Sequence, residues 1–131
     1  MVIEREQIHE FLAAMEAVRE ALGDFIRALY RRPEVKLANL YHPSAYPSSD
    51  FGVSVELKNG ATVDFWIELQ AKGEFWEMTH YVARHDQDEE GNHNEADFPS
   101  RNIASGLELP PAILAAVNEL RRTSENDTLF R

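Results

Sequence analysis

Cysteine is absent from the 131 residues, which removes thiol nucleophiles, disulfide staples and thiolate metal sites and fits a reducing compartment. No stretch approaches the ~20 consecutive apolar residues of a helical membrane span. The opening MVIEREQIHE carries acids where a secretory leader needs a basic end and then an apolar run. A soluble cytoplasmic protein without membrane contact is expected. Basic clusters are missing as well: 13 Lys and Arg stand against 23 Asp and Glu, for a net charge of −10. Phosphate-backbone binding draws its affinity from Lys and Arg displacing counterions, so nucleic acid is excluded as a ligand. The six glycines are scattered, leaving no phosphate-cradling loop or dinucleotide fingerprint. G-x-S-x-G does not occur, and His9-Glu10 has no second His four residues after the first. No cofactor is expected, and the chain is read as a non-enzyme.

What the sequence does have is acid in one place. Residues 85 to 100, HDQDEEGNHNEADFPS, hold six carboxylates and no Lys or Arg, more than half of the net charge. Acid this concentrated binds a cation, meets a basic partner, or keeps the chain in solution.

With 44% apolar residues, a chain of this length forms one domain able to bury roughly two thirds of its unfolded surface. Ile8, Met15, Leu22 and Leu29 recur every seven residues, Phe11, Val18 and Phe25 follow three positions after the first three, and Leu12 and Ile26 widen the stripe. A helix from about Glu4 to Arg32 follows, stopped by Pro33. The heptad also permits a dimeric coiled coil, but the widened stripe favours burial on the chain's own sheet.

Val35 to Leu40 reads as a short strand and HPSAYPSSD as a connection. Alternation of Phe51, Val53, Val55 and Leu57, then of Val63, Phe65, Ile67 and Leu69, gives two half-buried strands. A two-residue Asn59-Gly60 loop between them would mix the faces. A three-residue Lys58-Asn59-Gly60 loop with a bulge at Gly60 pairs Val55 with Val63 and Val53 with Phe65. The next strand, Glu74 to Arg84, has Trp76, Met78 and Val82 inward, and a two-residue Lys72-Gly73 loop would set them beside Leu69, Ile67 and Val63. A short strand or turn is expected at Phe98 to Ile103, and Pro110-Pro111 opens a last helix. The expected architecture is α+β: a long N-terminal helix, an antiparallel meander of three to four strands and a C-terminal helix in two layers. Residues 1–122 form the domain, and 123–131 a flexible tail.

With both helices on the face of Val53, Val55, Phe65 and Ile67, the other face carries Trp66, Tyr81, Phe75, Asp64, Glu68 and Glu77 toward solvent. Aromatics rimmed by charge mark a protein-binding patch, because Trp and Tyr bury much area for little lost rotamer freedom. The alternative is that a loop or helix covers them. The same alternating acids on an open face lack the cleft that acid/base catalysis needs.

Asp86, Asp88 and Glu90, then Gly91, with Asp97 at the twelfth position, resemble a calcium loop. Glu90 and Asp97 depart from its usual side chains, and the flanks read as strand and loop where that motif needs helices. A solvated acidic loop is the plainer reading, with a weak oxygen-ligated cation site behind it. His80, His85 and His93 match no metal-ligand spacing, and His80 shares the inward parity of Met78 and Val82, as a hydrogen-bonded core histidine does.

In size, acidity, lack of cysteine and helix-meander-helix layout, the chain resembles the small cytoplasmic immunity proteins that neutralise bacterial toxins. The resemblance implies a basic cognate toxin domain whose active or substrate site is occluded by the exposed sheet and acidic loop. Trp66 and Tyr81 would anchor it, with Phe75 beside them, and Asp64, Glu68, Glu77, Asp86, Asp88, Glu89 and Glu90 would pair with its Lys and Arg. Two rival readings are a small-molecule or cation-binding domain with a pocket lined by Trp76, His80 and Tyr81, and a homodimer joined through the aromatic face or the heptad stripe.

Overall fold

The computed structural model of the chain describes residues 5–41, 48–86 and 93–131. Helix α1 spans Arg5–Tyr30, and β1 (Val35–Tyr41), β2 (Ser48–Leu57), β3 (Thr62–Ala71) and β4 (Trp76–His85) follow as an antiparallel meander. Two short strands, β5 (His93–Asp97) and β6 (Arg101–Ile103), then pair side by side with β4, giving six strands among the described residues. Helix α2 (Leu109–Thr123) comes next, flanked by single 3-10 turns at Gly106–Glu108 and Asp127–Phe130. The architecture is α+β, with more strands than the three or four expected. The surplus arises where the acidic stretch was read as one loop. Its second half pairs with Tyr81 to Arg84 as β5, and the short strand expected between Phe98 and Ile103 is β6.

Alternation decides the registers. The β2–β3 turn is the three-residue one: Val53 faces Phe65 and Val55 faces Val63. Gly60 adopts a φ of 92°, the left-handed conformation of a bulge that glycine enters at no steric cost, and the Asn59 side chain accepts from the Ala61 amide at 2.9 Å. The β3–β4 register is a correction. Ala71 pairs with Trp76, leaving a four-residue turn closed by Lys72 N–H donating to Phe75 O at 2.9 Å. Met78 therefore lies opposite Leu69 and Val82 opposite Phe65, a slip of two residues. Such a slip preserves every side chain's face, so the hydrophobic pattern cannot distinguish the two registers.

Both helices lie on the face of the sheet that carries Val53, Val55, Phe65, Ile67, Met78 and Val82, all at most 1% exposed. Phe25 of α1 meets Phe65 edge-on with ring centroids 5.0 Å apart, and Ala112, Ala116, Val117 and Leu120 of α2 join the same cluster. Burial on this scale contributes about 1.5–3 kcal/mol for each large side chain. The N-terminal part of α1 departs from the expected core helix: Val18, Leu22, Phe25 and Leu29 are buried, whereas Ile8, Leu12 and Met15 are exposed.

The chain's last residues, expected to be flexible, are packed. Leu129 and Phe130 are buried, the Arg32 guanidinium sits 4.3 Å from the Phe130 ring centroid, and Arg32 also donates to Asp127 and to the Ser124 carbonyl, each at 2.8 Å. Arg84 donates to the Leu129 carbonyl at 2.6 Å. Two apolar side chains in TSENDTLFR suffice to hold it, because arginines at the ends of α1 and β4 satisfy the carbonyls and carboxylate around them.

Candidate functional site

The face of the sheet turned away from the helices is the candidate site. Side chains on successive residues of a strand point to opposite sides, so the inward set of β3 forces Thr62, Asp64, Trp66, Glu68 and Gln70 outward. All five are half-buried or exposed, and neither helix covers them. Trp66 pairs directly across strands with Tyr81, which in turn pairs with Asp97. The Tyr81 hydroxyl donates to Glu68 at 3.0 Å, so one carboxylate braces the aromatic pair. Gly52 lies opposite Trp66 on the β2 side, and a Cβ there would stand 1.9 Å from the Phe65 carbonyl oxygen. The β2 backbone approaches β3 closely at that point and contributes no side chain beside the indole.

Charge on this face has one sign. Outward register positions on β2 to β6 hold Glu56, Asp64, Glu68, Glu77 and Asp97, and among the described residues no Lys or Arg. The nearest cation is Lys36, in a bulge of β1 between Val35 and Leu37, 3.4 Å from Glu56. Ser54 donates to Asp64 at 2.8 Å. Five like charges on strands about 4.8 Å apart set up a negative field that hydrogen bonds such as these hold in place.

Of the residues singled out from sequence, Trp66, Tyr81, Asp64, Glu68 and Glu77 do share this face. Phe75 falls in the β3–β4 turn at the end of the sheet, 37% exposed, rather than on a strand. Asp86 is engaged within the chain, accepting from Arg84 Nε at 3.0 Å and Nη2 at 2.9 Å. Asp88, Glu89 and Glu90 lie outside the described residues. Asp97 was read as the last residue of a cation loop, but its backbone is part of β5 and it stands across from Tyr81. The last five residues of the stretch that resembles a calcium loop are thus an extended strand. Among the described residues no group of three His, Asp or Glu could hold a metal ion.

Asp97, Glu56 and Gly52 also belong to the face, although none was singled out for it from sequence. Glu56 carried its signal, since it alternates with Val55 and Leu57, whereas Asp97 required knowing that the acidic stretch folds back as a strand.

The pocket proposed from Trp76, His80 and Tyr81 does not form, since Tyr81 points to the opposite side of the sheet from the other two. His80 is a core histidine as its parity suggests, 6% exposed, with Nε2 3.0 Å from Glu119 of α2 and its ring stacked on Phe98 at 4.4 Å. Its Nδ1 has no hydrogen-bond partner among the described residues.

No helix among the described residues is long and apolar enough to cross a membrane. Comparison with known proteins leaves the geometry to stand by itself: no family model, no curated protein and no solved structure matches the chain.

Proposed function

We propose that the chain is a binding protein whose open sheet face captures a basic protein partner, in the manner of a cytoplasmic immunity protein that neutralises a toxin by covering its active or substrate site. The observation that carries this reading is the Trp66–Tyr81 pair set among the outward carboxylates of Asp64, Glu68, Glu77 and Asp97, with no Lys or Arg at the outward positions of β2 to β6 among the described residues. Such a face divides the work of recognition. The field of Asp64, Glu68, Glu77 and Asp97 steers a positive surface in and sets its orientation, while the indole and phenol supply the apolar area that holds it. An enzymatic role has no support of this kind, because the acids stand on an open sheet without a cleft to drive their proton affinities apart.

The reading is tested by titration calorimetry of wild type and Trp66→Ala against the products of the genes adjacent to this chain's own. Binding by wild type that weakens on the order of 100-fold or more in the variant, with an unchanged circular dichroism spectrum, is the expected result, as for an interface anchor. Equal binding by the two proteins would remove the face from consideration, and a neighbour that neither binds nor is inhibited would remove the immunity reading.

A further inference from the structure

Helix α1 carries more apolar surface than its own sheet can use. Ile8, Leu12 and Met15 are 47%, 57% and 45% exposed, although Val18, Leu22, Phe25 and Leu29 on the same helix are buried. At about 100° per residue the cause is geometric. Ile8, Leu12, Met15 and Ile26 fall on one flank, roughly 80° round from the line of Val18, Phe25 and Leu29 that faces the sheet. The positions that widen the stripe therefore do not deepen the core. They form a second apolar line along the side of the helix.

In the second half of α1 that line borders a groove of ≈ 580 Å³, walled by Met15, Leu22 and Ile26 with Leu40, Phe51 and Ile113. Gly23 is part of the wall, and a Cβ there would meet nothing nearer than the Arg27 guanidinium at 3.5 Å. A glycine inside a helix costs about 1 kcal/mol relative to alanine, and here it keeps the groove open to the helix backbone. One helix thus has an exposed ridge in its first half and, among the described residues, an unfilled furrow in its second.

We propose that α1 pairs with α1 of a second copy of this chain, antiparallel about a two-fold axis near Met15, so that each ridge fills the other copy's furrow. Antiparallel pairing is required, because only it lays the first half of one helix along the second half of the other. With Met15 at the axis, Ile8 comes level with Leu22 and Leu12 with Val18. The contact is isologous and closes on itself, leaving no ridge or furrow to recruit a third copy. Leu40 is also 39% exposed beside the furrow, and these four uncovered side chains present on the order of 400 Å² of apolar surface. That is half of the ~800 Å² each partner contributes to a standard interface, before the furrow walls are counted. Charge agrees as well. Arg19, in the middle of the line, and Glu16 beside it are 83% and 60% exposed and 3.9 Å apart, so two copies bring two such opposite-sign pairs together near the axis.

Sedimentation equilibrium from micromolar to submillimolar concentration tests the pairing on the full chain. A concentration-dependent mass rising to that of two chains is expected. Leu12→Glu changes an exposed position, so it should retain the wild-type spectrum and melting curve while weakening association on the order of 100-fold or more. Because the chain has no cysteine, Met15→Cys introduces a unique thiol at the proposed axis. Under mild oxidation it should link two chains, whereas Glu20→Cys, on the opposite side of the helix, should not. A monomer at every concentration overturns the proposal, as does a dimer that Leu12→Glu leaves intact or that Met15→Cys fails to link.

Discussion

Three residues of the open face make separable demands on the fold. Trp66 is only half-buried, so Trp66→Ala should lower stability by no more than about 1–2 kcal/mol in a urea titration while removing partner binding. Gly52 is the reverse case. Any side chain there meets the Phe65 carbonyl at 1.9 Å, a backbone atom that cannot swing aside, so Gly52→Ala should force β2 away from β3 and cost several kcal/mol. A midpoint of chemical unfolding close to wild type would show that the strands relax more easily than this geometry allows. Tyr81→Phe deletes the hydrogen bond to Glu68, and the expected loss is about 1 kcal/mol. At this scale the sequence was informative wherever a side chain's role follows from parity. Trp66, Asp64 and His80 all lie on the faces that alternation assigns them. Asp86 is held by the guanidinium of Arg84, two residues before it, a pairing that the count of acids in the stretch does not reveal.

Among the elements, α1, the β2–β3 hairpin and α2 were legible because each has a complete local code: a 3.6-residue stripe ended by Pro33, an Asn-Gly turn between alternating strands, and a Pro-Pro start. The β3–β4 turn, Lys72 to Phe75, has no such code. Its length was misjudged by two residues, a change that every apolar side chain tolerates. Strand β5 was invisible for a different reason: HNEAD has no hydrophobic alternation and is held by ladder bonds to β4 and by Ala96 turned inward. The C-terminal segment was misread in the same sense, since TSENDTLFR looks polar although it closes the core. Deleting residues 129–131 removes two buried side chains and the ring beneath Arg32, so it should cost about 3–5 kcal/mol and lower the melting temperature by many degrees. A truncated chain that melts with wild type would mean that the last turn is not part of the cooperative unit.

For the whole molecule, the two apolar surfaces are of different kinds and lie in different places. One is a pair of aromatics among carboxylates on the sheet, the other a largely aliphatic ridge and furrow, crossed by Arg19, along a helix on the far side. A dimer built on the second leaves both copies of the first exposed, so a complex of two chains with two partners follows. Capture of the basic partner should depend on salt in a characteristic way. Raising ionic strength should slow association severalfold while leaving dissociation nearly constant, since the acids guide the encounter and Trp66 and Tyr81 hold it. Stopped-flow measurement at two salt concentrations distinguishes this from a contact held by its charges, in which dissociation would accelerate.

The bulge at Lys36 bears on a hazard common to all open sheets. An edge strand with a regular row of unpaired amides is a template on which further chains add, end over end, into cross-β fibrils. On β1 that row is broken between Val35 and Leu37, and a lysine stands at the break. The opposite border is divided between two short strands of five and three residues, neither long enough to nucleate growth. Concentrated solutions of this protein should therefore resist seeding by preformed amyloid.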